Sequence, residues 1–261
     1  MIFGKRKVPP TSSGGAIPPD PPLQAIDFPW GGKPDFAASN FALANLAMNV
    51  KRGLVVDGRL YAVTLMVAIG AIAGFCAQCA FNETMIKTGI AQLGRDYLTV
   101  GTADGGLYLF GDALNSYLIP EVAGRLCLWS LVAGAVVKAG VAVADLPDTR
   151  PLFASVAGSI GTPTFGVVHA PEGHTPDLQP LRALNLVWPL ARKCLTGKGL
   201  GDREWGVAAF EHWPAIASFV AHSYIGEVKD VLDPKLAALL VMEAAIICSK
   251  LQPATVVDGQ F

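Results

Sequence analysis

The sequence is poor in charge. Only 16% of its 261 residues are Asp, Glu, Lys or Arg, against about 25% in an average soluble protein. The 20 basic and 21 acidic residues nearly cancel, leaving a net charge of −1. Without a basic excess there is no long-range field to gather nucleic acid or an anionic surface, so no nucleic-acid partner is expected. The "KRK" at 5–7 is the one basic cluster, and its plain use is to solubilise the arm that carries it. A cysteine framework is missing too. Five cysteines, an odd count without regular spacing, argue against a disulfide scaffold and for a reducing compartment. A secretory leader is not expected, because "MIFGKRKVPPTSSGG" has charge but no apolar stretch after it. No repeat of fixed period appears, which excludes a solenoid. These absences lead to an expectation of a cytoplasmic protein without an obligatory metal, cofactor or disulfide.

What the chain does have is apolar surface, at 52% of residues. Residues 1–25, rich in Pro, Gly and Ser, read as a disordered tail. Residues 30–255 read as one α-helical domain, with helices expected at about 36–52, 60–81, 124–144, 152–159, 181–195, 204–225 and 234–250. Asp35 and Asp233 stand where N-caps belong, and Gly53 where a left-handed stop would end the first helix. Asp57-Gly58 marks either a hairpin or the entry to the long helix that follows. "DYLTVGTADGGLYLF" alternates around Asp104-Gly105-Gly106 and predicts a small hairpin near 97–110. The fold class is therefore mainly α, a multi-helix domain around a buried apolar central helix with one small β-hairpin.

That central helix is "LYAVTLMVAIGAIAGFCAQCAF", Leu60 to Phe81, with no charge between Arg59 and Glu83. A helix apolar all round belongs in lipid or in a core, and its length would span a bilayer. Six alanines and two glycines lower its transfer energy, and no Trp or Lys girdle flanks both ends. A buried core helix is the reading taken, with a membrane span as the alternative. Its "GAIAG" is then a seam for close approach to helices 124–144 and 235–250. Cys76 and Cys79 sit near the C-terminal end of the run, where the helix dipole disfavours thiolate, so "CAQC" reads as packing rather than redox or zinc chemistry.

Candidate chemistry is thin. "HAPEGH" places His169, Glu172 and His174 together in a proline-containing loop, residues 161–180. Imidazole and carboxylate are competent metal ligands, although Pro171 and Pro176 forbid the helical spacing of metalloproteases. Glu243 lies among large apolar residues in "LLVMEAAIICSK", where an unpaired charge is costly, and is expected either to pair with Lys138 or Arg125 or to line a pocket wall with a raised pKa. Asp112 and Asn115 of the "FGDALN" turn are suited to capping, and that turn is expected to share a site with the 161–180 loop. "AGSIG" at 157–161 lacks the strand and first glycine of a nucleophile elbow, and "TGKGLGD" at 196–202 lacks the spacing of a phosphate loop.

Four strings, "DGGLYLFGDALN", "VAGSIGTPTFGV", "APEGHTPD" and "DPKLAALLVMEAAIICSK", together resemble a family of uncharacterised proteobacterial proteins over roughly residues 55–254. The resemblance implies a cytoplasmic bacterial protein and carries no activity. The leading functional expectation is a non-catalytic helical protein that binds a partner protein, a second copy of itself, or a small apolar ligand. The alternatives are a metal-assisted hydrolase built on the His169–His174 loop and a membrane-attached protein.

Overall fold

Eight α-helices and one two-stranded antiparallel sheet appear in the computed structural model, which describes residues 28–103, 105–121, 126–198 and 205–253. In chain order they are α1 (Phe36–Gly53), α2 (Ala62–Phe81), β1 (Leu98–Gly101), β2 (Leu107–Phe110), α3 (Asp112–Asn115), α4 (Leu128–Lys138), α5 (Arg150–Ser159), α6 (Pro180–Leu195), α7 (Trp213–Val228) and α8 (Pro234–Ser249). The chain is mainly α, as the helical periods require. The expected tail at 1–25 lies outside the described residues, as do Asp104 of the hairpin turn and Arg125.

α2 is the axis. Eighteen of its residues are buried, and it packs most extensively on α8, then on α7 and α6. The segment Ala62–Ile86 is long and apolar enough to cross a membrane, but 89% of its most apolar stretch is buried inside the fold. Gly70 and Gly74 explain the close contact with α8. A Cβ at Gly70 would overlap the backbone of Val241, and one at Gly74 that of Ala245. The small-residue seam therefore serves α8, as expected. It does not serve α4, which packs instead on α7 and α8. α4 buries one stripe only, Leu128, Val132, Ala135 and Val136, so it forms part of an outer layer rather than the axis.

Both ends of α1 differ from expectation. Gly53 is helical and α1 stops at Leu54, while the left-handed residues are Asp57 (φ 50°) and Gly58 (φ 72°). Those two make a tight turn closed by the Val56–Arg59 bridge, after which α2 begins. Asp35 precedes α1 without capping it. Asp233 does cap α8, accepting from the N–H groups of Lys235 (2.7 Å) and Leu236 (3.2 Å). The expected hairpin forms, with Leu98 opposite Phe110 and Gly101 opposite Leu107, and it docks on the end of α8 where the Leu109 N–H donates to the Lys250 carbonyl at 2.8 Å.

Candidate functional site

Glu243 sits in the middle of α8, and its side chain is 3% exposed. Lys138 is not its partner among the described contacts, and Arg125 lies outside the described residues. Both of its oxygens are taken by one residue of the 161–180 loop. The backbone N–H of His169 donates to Oε2 at 2.7 Å, and the ring Nδ1 lies 2.5 Å from Oε1. Two residues singled out separately, one on a helix and one on a loop, thus form a pair. The His169 side chain is 76% exposed, so the acid is hidden while the imidazole faces solvent.

The loop that carries His169 is held at several points. The Val168 N–H donates to Gln179 Oε1 at 3.1 Å, and the Asp177 N–H donates to Thr64 Oγ1 of α2 at 3.0 Å. Gly166 adopts φ 87° with the Leu181 side chain where a Cβ would lie, so only glycine fits there. The four prolines of the segment reduce the freedom that these bonds must remove.

A groove of about 420 Å³ opens beside the pair, between α5, the 162–169 segment and α8. Ser155, Ser159, Thr162 and Thr164 contribute hydroxyls to its wall. Three of those protons are already committed. Ser159 donates to the Val156 carbonyl (2.9 Å) and Thr162 to the Ser159 carbonyl (2.6 Å), which leaves Thr164 donating to Thr162 (2.7 Å). The Ser155 hydroxyl has no hydrogen bond among the described residues, and the residue is exposed on the groove. A carboxylate only accepts hydrogen bonds, so in the neutral ring the proton lies on Nδ1 and Nε2 is a lone pair. The arrangement can accept a proton from water or a ligand hydroxyl at Nε2, with Glu243 steadying the imidazolium that results.

The other sequence candidates lie apart from this pair. Glu172 is exposed with no ion pair among the described residues, and His174 closes a turn through its N–H to the Pro171 carbonyl (3.0 Å) while its Nδ1 is buried without a partner among them. Among the described residues no three His, Cys, Asp or Glu converge on a metal position. Asp112 begins α3 without capping it. Asn115 has a different duty, with its Oδ1 accepting from Lys250 Nζ at 3.0 Å.

That lysine is not among the candidates the sequence singles out. Lys250 is buried, with Nζ 5.1 Å from the Phe110 ring centre and 6.0 Å from that of Phe153. Burial brings its ammonium down to about 8, partly opposed by the Asp112 charge. Its only sequence signal was a lone cation ending an apolar helix. The cysteines behave as packing residues, and burial pushes the Cys79 thiol up to about 12 and the Cys194 thiol to about 11.

Comparison with family models, curated proteins and solved structures finds no significant match to this chain.

Proposed function

We propose that the protein is a hydrolase of small, polar, ester-like substrates, with His169 as general base. The observation that supports this reading is the inverted burial of the Glu243–His169 pair. An ionised side chain in a helix core is expensive, and anchoring a loop would need no exposed ring. An orienting acid beneath a solvent-facing imidazole is the arrangement that general-base catalysis uses.

Water is the nucleophile in this reading, because Ser159, Thr162 and Thr164 spend their protons within the protein. As the water oxygen bonds to the acyl carbon, its proton passes to His169 Nε2. The carbon–oxygen bond to the leaving group then breaks, and the imidazolium returns the proton to the departing alkoxide. Acid and alcohol leave, and the neutral imidazole is restored. Ser155 is placed to donate to a substrate oxygen. The test is p-nitrophenyl acetate hydrolysis by the whole protein and by His169→Gln. A loss of about 100-fold in kcat/KM is expected for general-base chemistry, with an unchanged melting curve. Equal rates in the two proteins would sink the reading.

One observation favours a second reading, the non-catalytic binding of an apolar ligand. A groove of about 570 Å³ between α1, α4 and α7 is lined largely by Ala, Leu, Val and Phe side chains. Lys138 and Lys229 on its wall make no ion pair among the described residues. Such a groove suits a medium-chain carboxylate. Decanoate binding that vanishes when both lysines become alanine supports it, and binding of decanol with equal affinity opposes it.

A further inference from the structure

Gln78 is fully buried near the end of α2, and neither its Oε1 nor its Nε2 has a hydrogen-bond partner among the described residues. An unpaired buried amide opposes folding, and Met or Leu would fill the same volume without that penalty. The carboxamide therefore calls for a use. Immediately after it, α2 gives way to a π-helical turn, Asn82–Ile86. Such turns are rare, and they recur where a helix has been widened for function. Asn82 lies four residues beyond Gln78, one turn along on the same face.

A pocket of about 490 Å³ opens here, with Gln78, Asn82, Tyr97 and Thr99 in its wall. The charges nearby cancel. Lys87 Nζ sits 2.6 Å from Glu83 Oε1, which also accepts from Asn82 Nδ2 at 3.2 Å. A charged ligand would gain little from this wall, whereas a neutral one would leave the ion pair intact. Ile86 and Leu109 add apolar surface beside the Tyr97 ring, which suits a flat ligand. A carboxamide presents an N–H beside a carbonyl. Its complement is another cis-amide edge, which pairs with it through two hydrogen bonds.

We infer that this pocket binds a small, neutral, planar molecule with an amide edge, a lactam or imide ring, by paired hydrogen bonds to Gln78. The polar atoms of Gln78 are closed to bulk water. The ligand reaches them as the Asn82 side chain turns aside, giving up its long bond to Glu83. None of these residues belongs to the His169 groove, so this inference stands or falls separately from the hydrolase reading.

The probe is 2-pyridone, a planar lactam, with N-methyl-2-pyridone as the same ring lacking the N–H. Titration of the full chain by NMR should move the Gln78 side-chain amide and the Thr99 signals. The methylated ring should bind at least tenfold more weakly, because it leaves the Gln78 oxygen unpaired. Gln78→Met should abolish binding and also raise the melting temperature of the free protein, by about 2–4 °C for a chain of this size. Three results would overturn the inference: no shift at Gln78 with 2-pyridone, equal binding of both rings, or a lower melting temperature for Gln78→Met. The last would mean that the amide is already well bonded in the free protein.

Discussion

Among the described residues two histidines lie against carboxylates, His212 against Asp35 and, through Nε2 at 3.4 Å, the exposed Glu211, and His169 against Glu243; the Asp35 and Glu243 pairs are built in opposite senses. In the first, His212 is the hidden partner, its side chain 6% exposed beside the Trp30 ring at 5.9 Å. Asp35 Oδ2 accepts from His212 Nδ1 (2.8 Å), from the Ala209 N–H (2.8 Å) and from Ser39 Oγ (2.7 Å). One oxygen thus joins α1 to the segment before α7, and the imidazole has no open face. In the second pair the acid is hidden and the ring is exposed. A clamp needs every donor satisfied and nothing left over. A reactive centre needs one nitrogen left over, and of the two paired histidines it is His169 that offers one to a groove. Residue types alone would not separate these two pairs, whereas the direction of burial does.

The largest expected effect is on the clamp. Asp35→Ala leaves three donors without their acceptor, and a loss of about 3 kcal/mol in urea unfolding is expected, with ester hydrolysis unchanged. The same pair sets an acid limit. Burial raises the Asp35 carboxyl, but the hydrogen bonds from Ala209, Ser39 and His212 and the His212 charge outweigh it, taking it from 3.8 to about 2. A carboxyl depressed on folding contributes stability above its unfolded value, and loses it as pH falls through the folded one. Stability should therefore fall between about pH 4 and pH 2, and Asp35→Ala should flatten that limb. A variant as stable as the wild type at pH 7 would show that Asp35 is not a clamp.

How much of this could be read in the sequence follows from how far each feature reaches along the chain. α2 was legible because an uncharged run with two glycines four apart has few uses outside a packed seam. The hairpin and the Asp233 cap are also local, set by residues within a few positions of one another. The α2–α8 pairing was read correctly, and the α2–α4 pairing was not, since composition does not rank two apolar helices as neighbours. Glu243 stood out as an anomaly, yet its partner lies 74 positions away, and half of the contact is a backbone N–H that no residue type announces. Asp35 looked like a cap because the position before a helix is where caps stand. Only the return of residues 209–212 onto it reveals the other role. Gln78 shows in the sequence only as one polar residue in an apolar run.

Lys250 provides a third case, a buried cation that has an amide where the histidines have a carboxylate. Its ammonium is held by Asn115 Oδ1 and two aromatic faces. Burial lowers it from 10.5 to about 8. A lysine depressed on folding weakens the fold while it must stay charged, and the penalty lifts as pH rises from the folded value to the unfolded one. Between about pH 8 and pH 10.5 this group should add on the order of 2 kcal/mol to the unfolding free energy. Urea melts at pH 8 and pH 10 measure it, and Lys250→Met should remove the difference. Identical slopes in the two proteins would mean that the ammonium keeps its water.

The smallest effect on stability should come from Glu243→Gln, and it is the sharpest test of the inversion. The wild-type acid accepts twice, from the His169 N–H and from Nδ1–H. A carboxamide in the same place has one acceptor and one donor. Its oxygen can keep the backbone bond, because a backbone N–H cannot reverse. Its NH₂ then faces Nδ1, and the ring answers by moving its proton to Nε2. Both hydrogen bonds survive and a buried charge is gone, so the change in stability should stay within about 1 kcal/mol. The nitrogen facing the groove, however, has turned from acceptor to donor. Nitrogen-15 correlation spectra of His169 should report the Nε2-protonated tautomer in the variant and the Nδ1-protonated one in the wild type. Ester hydrolysis should fall with it, by about as much as in His169→Gln. If the tautomer switches and hydrolysis persists, the exposed imidazole is a latch for the loop and not a base. If the tautomer does not switch, Glu243 does not set the proton at all, and the contrast between the two pairs loses its chemical meaning.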